Sequence, residues 1–110
     1  MLSVSGTTIK LTRGDTAYLS LDLTMDGEEY EFADGDTITF SIRRTTDDND
    51  VEYLLQKTIV AGDTIVIEPE DTKHLNYGRY KYDVQLNTAK GEIFTVIEPS
   101  TFQVAEEVTL

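Results

Sequence analysis

The sequence contains no cysteine, no tryptophan, only two prolines and a single histidine. Without cysteine there is no disulfide framework, no thiol nucleophile and no Cys-ligated zinc. Basic residues are also scarce: 9 Lys and Arg face 21 Asp and Glu, a formal net charge of -12. Nucleic-acid binders carry a basic footprint, because phosphate neutralisation drives their binding. This balance disfavours nucleic acid, and anionic membranes for the same reason. Arg43-Arg44 is the only adjacent basic pair. No apolar run approaches the roughly 18 residues of a membrane span. The opening Met-Leu-Ser-Val-Ser-Gly has neither a basic start nor a continuous apolar stretch. A signal peptide is therefore not expected, and synthesis and folding in the cytoplasm is the simplest expectation. The acidity itself fits solubility and avoidance of self-association.

What is present is a period of two. From Gly78 to Leu86, Tyr80, Tyr82, Val84 and Leu86 alternate with Arg79, Lys81, Asp83 and Gln85. A strand sends successive side chains to opposite faces, so this is a half-buried antiparallel strand. The pattern recurs at Ile9–Leu11, Ala17–Leu23, Ile38–Ile42, Tyr53–Ile59, Ile65–Ile67, Ile93–Ile97 and Phe102–Val104, with a shorter strand marked by Tyr30 and Phe32. Asp26-Gly27, Asp34-Gly35, Gly62-Asp63 and Lys90-Gly91 supply turns, and Pro99 predicts a break between the last two strands. One segment departs from the period. Pro69 followed by Glu70 and Asp71, then Lys73 and His74, suits a helical turn over 69–75, with acids at its start and bases at its end.

A chain of 110 residues is expected to form one domain, residues 1–110,. About eight or nine short strands, spaced at the ~8–12 residues typical of such folds, predict an all-β domain. Two antiparallel sheets packed face to face is the favoured solution, and a closed barrel is the alternative. The expected core is Leu19, Leu21, Leu23, Ile38, Phe40, Ile42, Ile59, Ile65, Ile67, Leu75, Tyr80, Tyr82, Val84, Leu86, Phe102 and Val104.

Candidate chemistry is sparse. Arg13-Gly14-Asp15 matches an integrin-ligand tripeptide, but its place directly before a strand makes it a turn. Asp47, Asp48, Asn49 and Asp50 offer oxygen ligands. Counted from Asp48, however, the sixth position is Tyr53 and the twelfth Ile59, where an EF-hand needs Gly and Glu,. Asp34, Asp36 and Asp63 lie in other turns that could gather with this run at one end of the domain. Solvated loop carboxylates are the favoured reading, and neither metal nor cofactor is expected. His74 has no nucleophile elbow to serve, and Ser20 and Ser41 lie on regular strand faces. Carboxylates are plentiful, but so small a chain without Trp makes a poor sugar cleft. No Gly-rich phosphate loop occurs, and no enzyme is expected. Tyr18, Tyr30, Tyr53 and Tyr77 fall off the inward pattern, as cross-strand packing or as contact surface.

The order of elements resembles a known family. The carriers are Arg13-Gly14-Asp15-Thr16 before a strand, the turn Pro69-Glu70-Asp71-Thr72 with Leu75, and Gly78-Arg79-Tyr80-Lys81-Tyr82-Asp83-Val84-Gln85-Leu86. Together they resemble the small Ig-like β-sandwich domains of phage and prophage tail and baseplate clusters in low-GC Gram-positive bacteria. The pattern is similar to the N-terminal domain of siphophage upper baseplate proteins. The resemblance implies an Ig-like sandwich and a non-enzymatic structural or protein-interaction role in a virion. Its implied partners are other tail or baseplate proteins, with room for a homo-oligomer such as a ring or trimer. It brings no functional residue. Tyr30 and Phe32, if exposed on an edge strand, are the candidate interaction surface. A carbohydrate-binding or cell-surface adhesion module is the alternative, and it requires clustered exposed aromatics beside carboxylates.

Overall fold

The computed structural model of the protein describes residues 2–5, 7–25, 27–45 and 52–108. Its strands are β1 (Leu2–Ser5), β2 (Thr8–Thr12), β3 (Ala17–Leu19), β4 (Thr24–Met25), β5 (Glu28–Glu29), β6 (Thr37–Arg43), β7 (Tyr53–Val60), β8 (Ile65–Ile67), β9 (Gly78–Asn87) and β10 (Ile93–Ala105). One short helix, α1 (Pro69–Lys73), joins β8 to β9. The protein is all-β. A six-stranded sheet has the order β1-β2-β10-β9-β6-β7, while β3–β8 and β4–β5 form separate pairs.

The alternation seen in the sequence sets the two faces of the large sheet. Ile38, Phe40 and Ile42 of β6, Tyr80, Tyr82, Val84 and Leu86 of β9, and Phe102 and Val104 of β10 all point inward and are buried. Ile65 and Ile67 of β8 and Ala17 of β3 belong to the same buried cluster, so the small β3–β8 pair shares its core with one face of the large sheet. At the centre, the Phe40 ring lies 5.4 Å from Tyr82 and 6.2 Å from Phe102, and Tyr82 lies 6.3 Å from Phe102. These centroid distances fall in the favourable range for aromatic pairs.

Several expectations are corrected. The last two expected strands are one, β10, which runs through Pro99. Register shifts between Thr95 and Ile97 and between Ile97 and Ser100 take the proline out of the ladder, where its missing N–H costs nothing. β2 and β10 pair in parallel, so the large sheet is not wholly antiparallel. These strands stand near opposite ends of the chain, and no hairpin constrains their direction. β3 stops at Leu19 because its partner β8 offers only Leu19↔Ile65 to Ala17↔Ile67. Leu21 and Leu23 lie beyond the ladder and are half-buried, as are Leu19 and Ile59. Ile9, Leu11 and Ala17 join the core instead. The helix ends at Lys73, with His74 as its exposed C-cap.

Two polar clasps close the ends. Asp36 is 2% exposed. Its carboxylate accepts hydrogen bonds from Ala33 N (2.9 Å), Ala89 N (3.0 Å) and the Tyr30 hydroxyl (3.0 Å), and its carbonyl accepts from Ala61 N at 3.0 Å. Three segments distant in sequence therefore meet on one residue. At the other clasp, Gly14, at φ 83°, donates its N–H to Oγ1 of buried Thr72 at 2.8 Å. Asp71 of α1 accepts from Glu68 N at 2.7 Å and pairs with Lys57 of β7 at 2.7 Å, which fixes the helix to the edge of the sheet.

Phe102→Ala is expected to cost about 3–5 kcal/mol of unfolding free energy by urea titration, because it removes a fully buried ring from the aromatic trio. The N–H donors of Ala33 and Ala89 hold the Asp36 carboxyl below the ordinary carboxylate range. A depressed pKa gives stability that is present above the unfolded value, about 3.9, and is lost as pH falls through the folded one. Asp36→Asn should therefore lower Tm at pH 7 and flatten the acid limb of a Tm-against-pH curve. An unchanged acid limb would show that Asp36 is not the group that titrates.

Candidate functional site

The large sheet has a second face, turned away from the core. Residues paired directly across a ladder lie on the same side of a sheet, so the registers identify its rows. Val60, Thr37, Asn87 and Ile93 form one row, and Thr58, Thr39, Gln85 and Thr95 the next. Gln56, Ser41 and Asp83 follow, then Arg43, Lys81 and Thr101, and finally Arg79, Gln103 and Lys10. Short polar side chains knit the middle rows. Thr39 and Thr58 hydroxyls lie 3.1 Å apart, Gln56 Nε2 donates to Ser41 Oγ at 3.1 Å, and Asn87 Nδ2 donates to Thr39 Oγ1 at 3.2 Å. Val60 and Ile93 stand exposed at one end.

The other end is basic. Lys10, Arg43, Arg79 and Lys81 gather there, in a chain with 21 acidic residues against 9 basic ones. Arg43 and Lys81 are direct cross-strand partners. Beside the Arg43–Lys81 row lies a cleft of 240 Å³ walled by Ser41, Arg43, Tyr53, Lys81, Asp83 and Gln85. The Arg43 guanidinium stands 5.9 Å from the centre of the Tyr53 ring. Among the described residues, Asp83 is the acid within these rows. Burial raises its carboxyl above the ordinary range, and the Arg43 charge opposes that rise. This face was not legible as a site in the sequence: its bases come from three strands far apart in the chain. The signal that could have found it is the run Arg79, Lys81, Asp83 and Gln85 on the outward side of β9.

The residues singled out in the sequence lie elsewhere. Tyr30 and Phe32 are not on an edge strand. They follow β5, are half-buried, and pack edge-to-face at 5.6 Å against each other and onto the core. The hairpin reaches only one bond further, from Tyr30 N to Leu23 O at 2.9 Å, before the buried Asp36 draws the Tyr30 hydroxyl inward. The Tyr30 phenol is raised above its ordinary pKa, chiefly by that hydrogen bond. Arg13-Gly14-Asp15 is a turn whose guanidinium is occupied: it pairs with Glu107 at 2.9 Å, donates to the Leu75 carbonyl at 3.3 Å and the Tyr77 hydroxyl at 3.0 Å, and stacks 4.3 Å over the Tyr77 ring.

Asp34, Asp36 and Asp63 lie at the Thr37/Val60 end of the β6–β7 pair. Asp47, Asp48, Asn49 and Asp50 fall outside the described residues. Exposed Tyr18, Tyr53 and Tyr77 belong to different parts of the fold, and among the described residues no ring contact joins them.

Because the Asp83 pKa is raised, its ionised form costs stability above that pKa. Asp83→Asn is therefore expected to hold or raise Tm at pH 7. A lower Tm would mean that its attraction to Arg43 outweighs its desolvation.

A scan against protein-family models and a search of curated proteins each match nothing to this chain.

Proposed function

We propose that the chain is an Ig-like β-sandwich acting as a non-enzymatic protein-interaction module of a phage or prophage tail, with the outer face of its large sheet as the docking surface. The strand order supports the sandwich reading. β10-β9-β6-β7 follows the G-F-C-C′ order of variable-type domains, and β3–β8 takes the place of the B–E pair in the opposing sheet,. Tyr80, near the start of β9, donates its hydroxyl to the Asn76 carbonyl at 2.7 Å, the geometry of a tyrosine corner. The tail assignment rests on the resemblance carried by residues 13–16, 69–75 and 78–86.

One observation carries the docking surface: Lys10, Arg43, Arg79 and Lys81 stand together in two adjacent rows of one face, in a chain with 21 acidic residues against 9 basic ones. Bases gathered from three strands make a local positive patch, and an acidic partner surface is its electrostatic complement. Exposed Tyr53, Val60 and Ile93 on the strands of the same face add apolar contact area,.

Mass spectrometry of density-purified phage particles from the source organism should find the chain at stoichiometric copy number. A chain expressed in cells but missing from particles would sink the tail assignment. Lys10→Glu with Lys81→Glu should abolish incorporation while leaving Tm close to wild type. Full incorporation of that variant would remove the outer face as the docking surface.

A further inference from the structure

We propose that the basic outer face is occupied by the acidic lobe of a second copy of this chain, so that copies associate head to tail. The inference rests on reading that face as a docking surface, and it names the occupant. The complementary surface is on the same molecule. From Gly14 to Ile42 the sequence carries no basic residue. This stretch includes β4, β5 and the segment leading into β6. Beside it lies a cleft of 430 Å³ with exposed Asp22, Glu29 and Glu31 on its walls and the half-buried rings of Tyr30 and Phe32 lining it. Carboxylates around aromatic rings suit Lys and Arg side chains, whose stems lie on apolar surface while the charge meets acid or ring face.

The two surfaces lie at opposite ends of β6. The acidic cleft includes Ala61 and Gly62, next to Val60 and its partner Thr37. The basic rows begin at Arg43, at the far end of the strand. The strand's rise of about 3.3 Å per residue puts roughly 20 Å between them. A cleft reaching a face 20 Å away on its own molecule is excluded, but on a neighbour it is not. Because the two patches differ, their contact is heterologous. Each added copy leaves one of each exposed, and growth ends only if the rotation closes a ring.

The net charge of -12 opposes any self-association, and this gives the inference a distinctive signature. At about 0.01 M salt the Debye length is roughly 30 Å, and whole molecules repel. Near 0.1 M it falls to about 10 Å, so distant charges are screened while apposed ones are still felt. Near 1 M it is about 3 Å and the contact itself weakens. Association should therefore peak at intermediate salt.

Sedimentation of the full chain at about 0.5 mM across this salt range tests the inference. The expected result is a weight-average mass above that of a dimer near 0.1 M, falling towards monomer at both extremes. Arg79→Gln with Lys81→Gln, and separately Glu29→Gln with Glu31→Gln, should each remain monomeric alone. Mixed, they should form a one-to-one dimer that grows no further, since only one intact face and one intact cleft remain. A wild-type monomer at every salt overturns the proposal. So does association that rises steadily with salt, which is the signature of apolar contact, and so does unchanged association in either variant. Should a variant lose its fold, carbodiimide coupling of isotopically labelled with unlabelled wild type decides. Lys10 or Lys81 joined to Glu29 or Glu31 between copies supports the proposal, and their absence overturns it. A monomeric wild type combined with loss of the Lys10→Glu/Lys81→Glu variant from particles leaves the docking face standing with a different occupant.

Discussion

The contact of Phe40, Tyr82 and Phe102 is the constraint on which the rest depends. Each ring comes from a different central strand, and each is nearly or wholly buried. A slip of one residue in β6, β9 or β10 would send its ring to solvent and bring an outward polar residue into the core. The rings therefore fix both ladders at once. Once they are fixed, every outward residue of the three strands is fixed with them. The rows of the outer face are a by-product of the inner packing.

The clasps finish what the rings begin. A strongly acidic chain has few cations with which to hold its ends, and beside Arg13 and Lys57 it uses backbone N–H groups and hydroxyls. Asp36 is the clearest case: a buried carboxylate that accepts two backbone N–H donors and one phenol. The Tyr82 hydroxyl donates to the Thr7 carbonyl, so the central strand is tied to the residue before β2. Burial raises the Tyr82 phenol above its ordinary pKa. Hydrogen bonds of this kind stabilise through the cost of leaving them unmade as much as through their own strength. They join residues far apart in the chain, as Asp36 and Ala89 do.

Charge is then sorted by topology. Acids crowd the stretch from Gly14 to Ile42, while the bases of β2, β6 and β9 fall into adjacent rows. The result is a molecule of high net negative charge with one basic sheet face. Net charge governs long-range approach. The local face governs what happens at contact, where screening by salt leaves only near neighbours in play.

The sequence by itself determined the all-β class, most strand positions, the helical turn after Pro69 and most of the buried side chains. Alternation and turn chemistry are local properties, and they survive whatever the rest of the chain does. It did not determine where β3 ends, because that depends on how much strand β8 offers. Nor did it determine that β10 runs through Pro99, because a proline is tolerated only where neighbours leave its nitrogen unbonded. Tyr30 and Phe32 were expected on an edge strand because their segment was read without Asp36, whose buried carboxylate holds the Tyr30 hydroxyl, with Phe32 packed on that ring. Only the tertiary structure decided the parallel β2–β10 pair and, through it, the basic rows. Lys10 and Arg79 are 69 positions apart along the chain, and they become neighbours through Gln103 only when both ladders of β10 have formed.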